Sequence, residues 1–75
     1  MNANLLRGAI AERGTDMKTV SNKIGLPPGT FYRKMMQQVS PKTKKVNTFT
    51  VNEAASILKV LDINDPEIGY AIFLS

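Results

Sequence analysis

The residues of this chain best suited to chemistry are basic and aromatic, and they cluster in its middle. The stretch 28–37 contains Tyr32, Arg33 and Lys34, and the stretch 42–45 adds three lysines. Guanidinium and ammonium groups bind anionic oxygens, and an arginine can also bond both major-groove acceptors of guanine. These residue types therefore indicate binding to a polyanion.

Groups that would support catalysis do not form a usable pattern. The chain has no histidine and no cysteine, so it lacks the commonest proton shuttle and metal ligand and any thiolate. Its serines have no histidine to activate them, its acids are scattered, and its glycines form no G-x-x-x-x-G-K phosphate loop. We therefore expect a binding protein that is not an enzyme and uses no metal or cofactor.

Charge is divided unevenly along the chain. Residues 1–45 hold nine basic and two acidic side chains, for a net charge of +7, whereas residues 46–75 hold one basic and four acidic side chains, for −3. This division predicts one face that binds a polyanion and another face with a different task. The alternative is a chance clustering of solvated charges.

The length of 75 residues predicts a single domain, 1–75, with one modest core. No apolar run approaches the roughly 20 residues that span a bilayer, and the polar N-terminus is unlike a secretory signal. We therefore expect a soluble, cytoplasmic protein that does not bind a membrane.

Periodicity and capping signals predict two helices in the first third of the chain. The first runs over about 4–13, with Asn4 as a possible N-cap. Asp16 can cap a second, short helix over 17–24, and Gly25 then suits a left-handed C-terminal position.

A third helix is predicted to begin at Pro28, because proline fixes a helical φ and lacks an N–H that would go unpaired there. It should extend to residue 37 or 38, with Phe31 and Met35 buried four residues apart. Residues 39–49 lack helical periodicity and predict a loop, with a short extended piece at 46–49 as the alternative. A loop with this many lysines either contacts a partner or is a solvated linker.

The sequence T-x-x-E at Thr50 to Glu53 is a capping box and predicts a fourth helix from Val51, with Phe49 placed to pack on Ala54. Another proline, at position 66, suits the start of a last helix. The apolar stripe expected on the fourth helix is Val51, Ala54, Leu58 and Leu61, broadened by Ile57.

The segment 17–36, MKTVSNKIGLPPGTFYRKMM, has the spacing of a helix, a glycine turn and a second helix. It resembles the helix-turn-helix of Cro and lambda-repressor-like (Xre-type) regulators, with Gly25 as turn glycine and Leu26 as turn hydrophobe. The flanking helices fit the four-to-five-helix plan of that family. The resemblance implies an all-α, compact lambda-repressor-like domain with its helix-turn-helix at about 17–37. It also implies a sequence-specific transcription regulator of a phage or prophage genetic switch, bound to double-stranded operator DNA.

With this resemblance, the residue types divide into two predicted roles. Arg33 is the first candidate to read a base, the alternative being a surface ion pair with an acid. Lysines and Thr30 suit phosphates, which position a protein without reading sequence. The full predicted set for DNA is Lys18, Pro28, Gly29, Thr30, Tyr32, Arg33, Lys34, Met36, Gln37, Lys42, Lys44 and Lys45.

Pro28 and Gly29 stand where relatives often carry glutamine or serine, so they offer no side chain to read a base. Because these two residues have little side-chain bulk, the start of the helix can instead approach the DNA backbone closely. There the N–H groups and the dipole of the helix favour phosphate.

The last ten residues, PEIGYAIFLS, are strongly apolar. They predict an interface for a homodimer, which two-fold operators imply, or for another protein. The alternative is that they close the core. The residues predicted for the interface are Ile68, Tyr70, Ile72, Phe73 and Leu74.

Two other functions fit the same sequence. One is a protein-binding modulator or antirepressor, which acts on a partner repressor and binds DNA weakly or not at all. The other is a nonspecific nucleic-acid binder, whose affinity would fall steeply with salt whatever the sequence.

Overall fold

The computed structural model describes residues 1–74 and confirms the all-α class. None of the helices in this range is long and apolar enough to cross a membrane. The five helices are α1 (Ala3–Glu12), α2 (Met17–Lys23), α3 (Pro28–Met35), α4 (Val51–Val60) and α5 (Pro66–Phe73).

Helix α1 is capped by Asn2, so the prediction of Asn4 as the cap is wrong. Asn2 has extended backbone angles, and its Oδ1 accepts a hydrogen bond of 3.0 Å from the Leu5 amide. An N-cap must lie outside the helix, and Asn4 is already inside it.

Helices α2 and α3 are joined by a tight turn. Asp16 caps α2 as predicted, with its Oδ1 2.7 Å from the Thr19 nitrogen. Gly25 has the left-handed φ of 78° that the sequence predicts, and the Leu26 amide then donates to the Ser21 carbonyl at 2.9 Å. The turn is therefore held by the backbone of the helix before it.

Helix α3 ends at Met35, two or three residues earlier than predicted. Gln37 takes a left-handed φ of 52°, and the Gln38 amide donates to the Arg33 carbonyl at 3.0 Å. This end geometry satisfies a free carbonyl of the last turn and turns the chain away from the helix axis.

Helix α4 begins with the predicted capping box. The Thr50 amide donates to Glu53 Oε1 at 2.9 Å, and the Glu53 amide donates to Thr50 Oγ1 at 3.1 Å. Ile57 and Leu61 are buried, whereas Val51 is 86% exposed, so the predicted apolar stripe is not buried along its whole length. Val51 lies in the first turn, where α4 extends beyond the core.

The core gathers side chains from all five helices. Phe49, just before α4, adds aromatic contacts to this core. The centroid of its ring lies 5.0 Å from that of Phe31 and 6.2 Å from that of Phe73. Because α3 is held through Phe31 and Met35, its opposite side faces the solvent. The buried apolar residues are Leu6, Ile10, Val20, Phe31, Met35, Ile57, Leu61 and Ile72.

Candidate nucleic-acid interface

The outer side of α3 forms one exposed strip. Gly29, Tyr32, Arg33 and Met36 recur at spacings of three and four residues, which places them on a single helical face. All four are exposed, with Tyr32 40% and Met36 41% accessible. The strip thus presents a phenol, a guanidinium and a thioether next to a position without a side chain.

Arg33 is held by its own helix. Its Nη2 lies 3.2 Å from the Oγ1 of Thr30, which is half-buried, and Arg33 makes no ion pair with a carboxylate of residues 1–74. The alternative, an ion pair between Arg33 and an acid, is therefore absent from the described part of the chain. The guanidinium keeps most of its donors available for an external acceptor.

The Gly29 position is open. A Cβ placed there would meet only Arg33 Nη1, at 3.6 Å, which is ordinary contact. Pro28 beside it is also exposed. The beginning of α3 is therefore low in bulk on its solvent side.

Lys34 is turned away from this strip, toward α4. Its Nζ lies 2.8 Å from both carboxylate oxygens of Glu53, and both side chains are 20% exposed. Burial raises the pKa of the Glu53 carboxyl, but the hydrogen bonds from Lys34 and Thr50 lower it by more, so that pKa lies below its ordinary value. In this structure Lys34 is engaged in a contact between helices, unlike the other cations of the predicted set.

The lysine-rich loop forms a closed hairpin that starts where α3 ends. Val39 and Val46 pair as an antiparallel bridge. The Gln38 carbonyl accepts from the amide and the side chain of Asn47, at 2.9 and 2.8 Å. We call residues 38–47 the basic hairpin; the prediction of a non-helical loop is confirmed, and the extended alternative holds only for the bridge.

The basic hairpin displays its cations at the tip. The Ser40 amide donates to the Lys45 carbonyl at 2.8 Å, and the Lys44 amide donates to the Ser40 carbonyl at 2.9 Å. Lys42, Lys44 and Lys45 are all exposed. Their ammonium groups are therefore carried by an ordered turn close in sequence to the α3 strip.

Two further exposed cations lie on α2 and α1. Lys18 is exposed in the first turn of α2, and its carbonyl accepts a 2.8 Å bond from the buried Ser21 hydroxyl. Arg7, which the sequence prediction missed, reaches from α1 so that its Nη2 lies 3.5 Å from the Met36 sulfur. No local pattern reveals Arg7, because its place depends on how α1 packs beside α3.

Comparison with known proteins assigns no role to this surface. No protein-family model, curated protein or solved structure matches this chain. What the described residues offer is a bidentate donor, a phenol and an apolar group on one helix, next to several cations. Arginine and lysine recognise phosphate and guanine. Within residues 1–74 there is no cluster of acids that could hold a metal ion.

The residues predicted for a protein interface do not all lie on one surface. Ile72 is 2% exposed and belongs to the core, so its placement at an exposed interface is wrong. Ile68 lies on the side of α5 that faces α1, in a groove of about 360 Å³. Tyr70, Phe73 and Leu74 line a different groove, between α4 and α5.

Proposed function

We propose that this protein is a sequence-specific DNA-binding transcription regulator of the Cro and repressor type. In this proposal α2, the turn and α3 act as a helix-turn-helix within a lambda-repressor-like domain, and α3 enters the major groove of an operator. The observation that carries the proposal is the exposed strip on α3, with Arg33 held at its centre. A phage or prophage switch is the setting that the resemblance of residues 17–36 suggests.

The residues of the strip suit different kinds of contact with DNA. Arg33 supplies two parallel donors for the O6 and N7 acceptors of guanine. Tyr32 and Met36 lie beside it, where a thymine methyl or a sugar would contact them. The first turn of α3 has no bulky side chain between its amides and a phosphate.

The cations around the strip supply the contacts that do not read sequence. Lys18 on α2, Arg7 on α1 and the lysines of the basic hairpin are exposed. Such residues bind phosphates and fix the position of a protein on the duplex. They come from the part of the chain that carries the net charge of +7.

The test begins with a selection of binding sites from random duplex DNA and from fragments around the gene of this protein. We expect one sequence to be enriched in the presence of competitor DNA. The Arg33→Ala protein should then bind that site about 5- to 150-fold more weakly, as the loss of one bidentate base contact implies. Its affinity for unrelated DNA should change much less. Fluorescence anisotropy measures both affinities.

Arg13→Ala is the matched control, because Arg13 is exposed and basic but lies in the turn after α1. We expect it to retain the preference for the selected site. Absence of any enriched sequence, or an Arg33→Ala protein that discriminates as well as the wild type, would contradict the proposal. Binding that appears only with a partner repressor would support the antirepressor function in its place.

A further inference from the structure

Met36 differs from the other methionines of the chain in how far its side chain is exposed. It is 41% accessible, whereas Met35 beside it is 1% accessible and belongs to the core. Met1 and Met17 are half-buried and pack against that core. A dissolved oxidant must reach the sulfur atom of a methionine to react with it. Met36 is therefore the methionine that such an oxidant reaches most easily.

The position of Met36 is set by the backbone of α3 and by Arg7. The Met36 amide donates to the Tyr32 carbonyl at 2.9 Å, which continues the hydrogen-bond pattern of α3 by one residue. Arg7 Nη2 donates to the Met36 sulfur at 3.5 Å. A thioether sulfur is a weak acceptor, so this bond leaves the guanidinium available to a phosphate. The contact joins α1 to the exposed strip of α3.

We propose that Met36 is a site of reversible oxidation, which controls DNA binding through Arg7. The inference rests on the proposed function, because the same strip would contact the operator. The oxidant is hydrogen peroxide. The sulfur lone pair attacks one peroxide oxygen and forms the S–O bond, the O–O bond breaks, and the second oxygen leaves with both hydrogens as water. The sulfur gives up an electron pair, which the peroxide gains.

The sulfoxide changes two contacts of the strip. Its oxygen accepts a charge-assisted hydrogen bond, which is stronger than the bond to the thioether sulfur and holds the Arg7 guanidinium on the protein. It also makes the end of Met36 polar where the strip would contact a thymine methyl or a sugar. Both changes lower the affinity for DNA. Methionine sulfoxide reductases reverse the modification and so reverse both changes.

The first experiment locates the oxidation without DNA. The full chain is treated with hydrogen peroxide for increasing times, and tandem mass spectrometry assigns the added oxygen to individual methionines. We expect Met36 to react about tenfold faster than Met35, because a buried methionine reacts only when the structure opens. Met1 and Met17 should also react more slowly than Met36. The NMR signal of the Arg7 side chain should shift as Met36 is oxidised, because its acceptor has changed.

The second experiment measures affinity for the selected DNA site by fluorescence anisotropy, before and after oxidation. The oxidised wild type should bind about tenfold more weakly, through the loss of one phosphate contact and one apolar contact. A methionine sulfoxide reductase should restore the affinity. Met36→Leu keeps an apolar side chain of similar volume without the sulfur. It should bind DNA like the wild type and should not respond to peroxide.

Two further variants separate the site from its route of action. Met17→Leu is the matched control, because it removes a half-buried methionine of α2 and leaves Met36 in place. It should lose as much affinity on oxidation as the wild type. In Arg7→Ala, oxidation should lower the affinity by only about threefold, because the contact that the sulfoxide would remove is already absent. Circular dichroism on each protein establishes that it is folded.

The proposal is overturned if another methionine reacts first, or if oxidation of Met36 leaves both the Arg7 signal and the affinity unchanged. It is also overturned if peroxide weakens DNA binding by Met36→Leu as much as by the wild type. Should Met36→Leu fail to fold, the oxidation map and the response of Arg7→Ala decide the outcome. A chain that binds no specific DNA would contradict the proposed function, and the oxidation map and the Arg7 signal then decide this inference without DNA.

Discussion

Gly29 combines two properties at the start of α3: it is exposed, and a side chain there would not disturb the fold. The nearest atom to a Cβ at this position is the end of the Arg33 side chain, at 3.6 Å. A substitution here can therefore test the proposed contact with DNA without lowering the stability of the domain.

We expect Gly29→Leu to keep or raise the stability of the domain, by up to about 1 kcal/mol, because glycine is a poor helix former. We expect the same change to lower affinity for operator DNA by about tenfold or more, since the leucine would hold the first turn away from the backbone. Thermal unfolding and fluorescence anisotropy measure the two effects.

Gly8→Leu serves as the matched control, because Gly8 is an exposed helical glycine of α1 with no atom within 4 Å of a Cβ. It should also be folded and should bind DNA like the wild type. A Gly29→Leu protein with unchanged affinity would exclude close approach of this turn to the DNA.

Single residues differ in how far the sequence reveals them. The buried side chains Phe31 and Met35 follow from a four-residue spacing and are confirmed. The partner of Lys34 does not follow, because Glu53 is 19 positions away and the distance between them depends on the packing of α3 against α4. Ser21 is fully buried, and its hydroxyl is satisfied within its own helix by the Lys18 carbonyl.

The conformation of the basic hairpin is a further feature that the sequence does not predict, here for a whole element. Its sequence predicts a loop, with a short extended piece at 46–49 as the alternative, but not the partner with which that piece pairs. Gln37, just before the hairpin, and Lys44, in its turn, have left-handed φ values of 52° and 59°, a conformation that sequence patterns assign to glycine or asparagine. The bridge between Val39 and Val46 follows from those turns and not from strand periodicity.

If the basic hairpin binds phosphates, its lysines must contribute to the salt dependence of DNA binding. Replacing Lys42 and Lys45 by glutamine should reduce the slope of log affinity against log salt by about 1.8, at roughly 0.9 for each lost contact. Lys44 is left unchanged in this variant, because its left-handed backbone is part of the turn. The slope is measured by anisotropy titrations at several salt concentrations.

A double substitution of Arg13 and Lys23 by glutamine changes the net charge equally at exposed positions outside the basic hairpin and α3. This protein should retain nearly the wild-type slope. Equal slopes for the two double variants would show that net charge, and not the position of the hairpin lysines, sets the salt response.

For the whole molecule, the sequence predicts the order and starts of the helices well. Asp16, Pro28, the Thr50–Glu53 box and Pro66 are local signals, and each marks the helix start that the structure shows. The assembly of the helices is not local. The sequence therefore predicts an all-α chain but not the division of the C-terminal apolar residues between the core and the surface grooves.

Glu53 connects α3 to α4, and its ion pair should make the stability of the whole domain depend on pH. Its pKa is lowered in the folded chain, so its contribution is complete above the ordinary value of 4.5 and is lost as pH falls through the folded pKa. We expect Glu53→Gln to reduce the free energy of unfolding by roughly 1 kcal/mol at neutral pH, where the ion pair is intact.

At an acidic pH below the lowered folded pKa, this difference from the wild type should shrink toward zero, because the wild-type carboxyl is then protonated. Urea denaturation at both pH values measures the effect. Glu12→Gln removes an exposed carboxylate that makes no ion pair within residues 1–74 and should follow the wild type. Asp16 stays in both variants, and its pKa is lowered by the Thr19 amide, so some acid sensitivity will remain. If Glu53→Gln lowered the free energy of unfolding equally at both pH values, the stabilisation by Glu53 would come from hydrogen bonds that do not depend on its charge.

The contacts on either side of the basic hairpin have a consequence for how such a chain can change. The Lys34–Glu53 ion pair and the packing of Phe31 on Phe49 fix both ends of this segment independently of what lies between them. Doubling the length of a loop with fixed ends costs only about 0.6 kcal/mol. The segment can therefore gain, lose or exchange residues while the helical frame stays intact. It is the place where descendants of this domain could change in length and composition at little risk to folding.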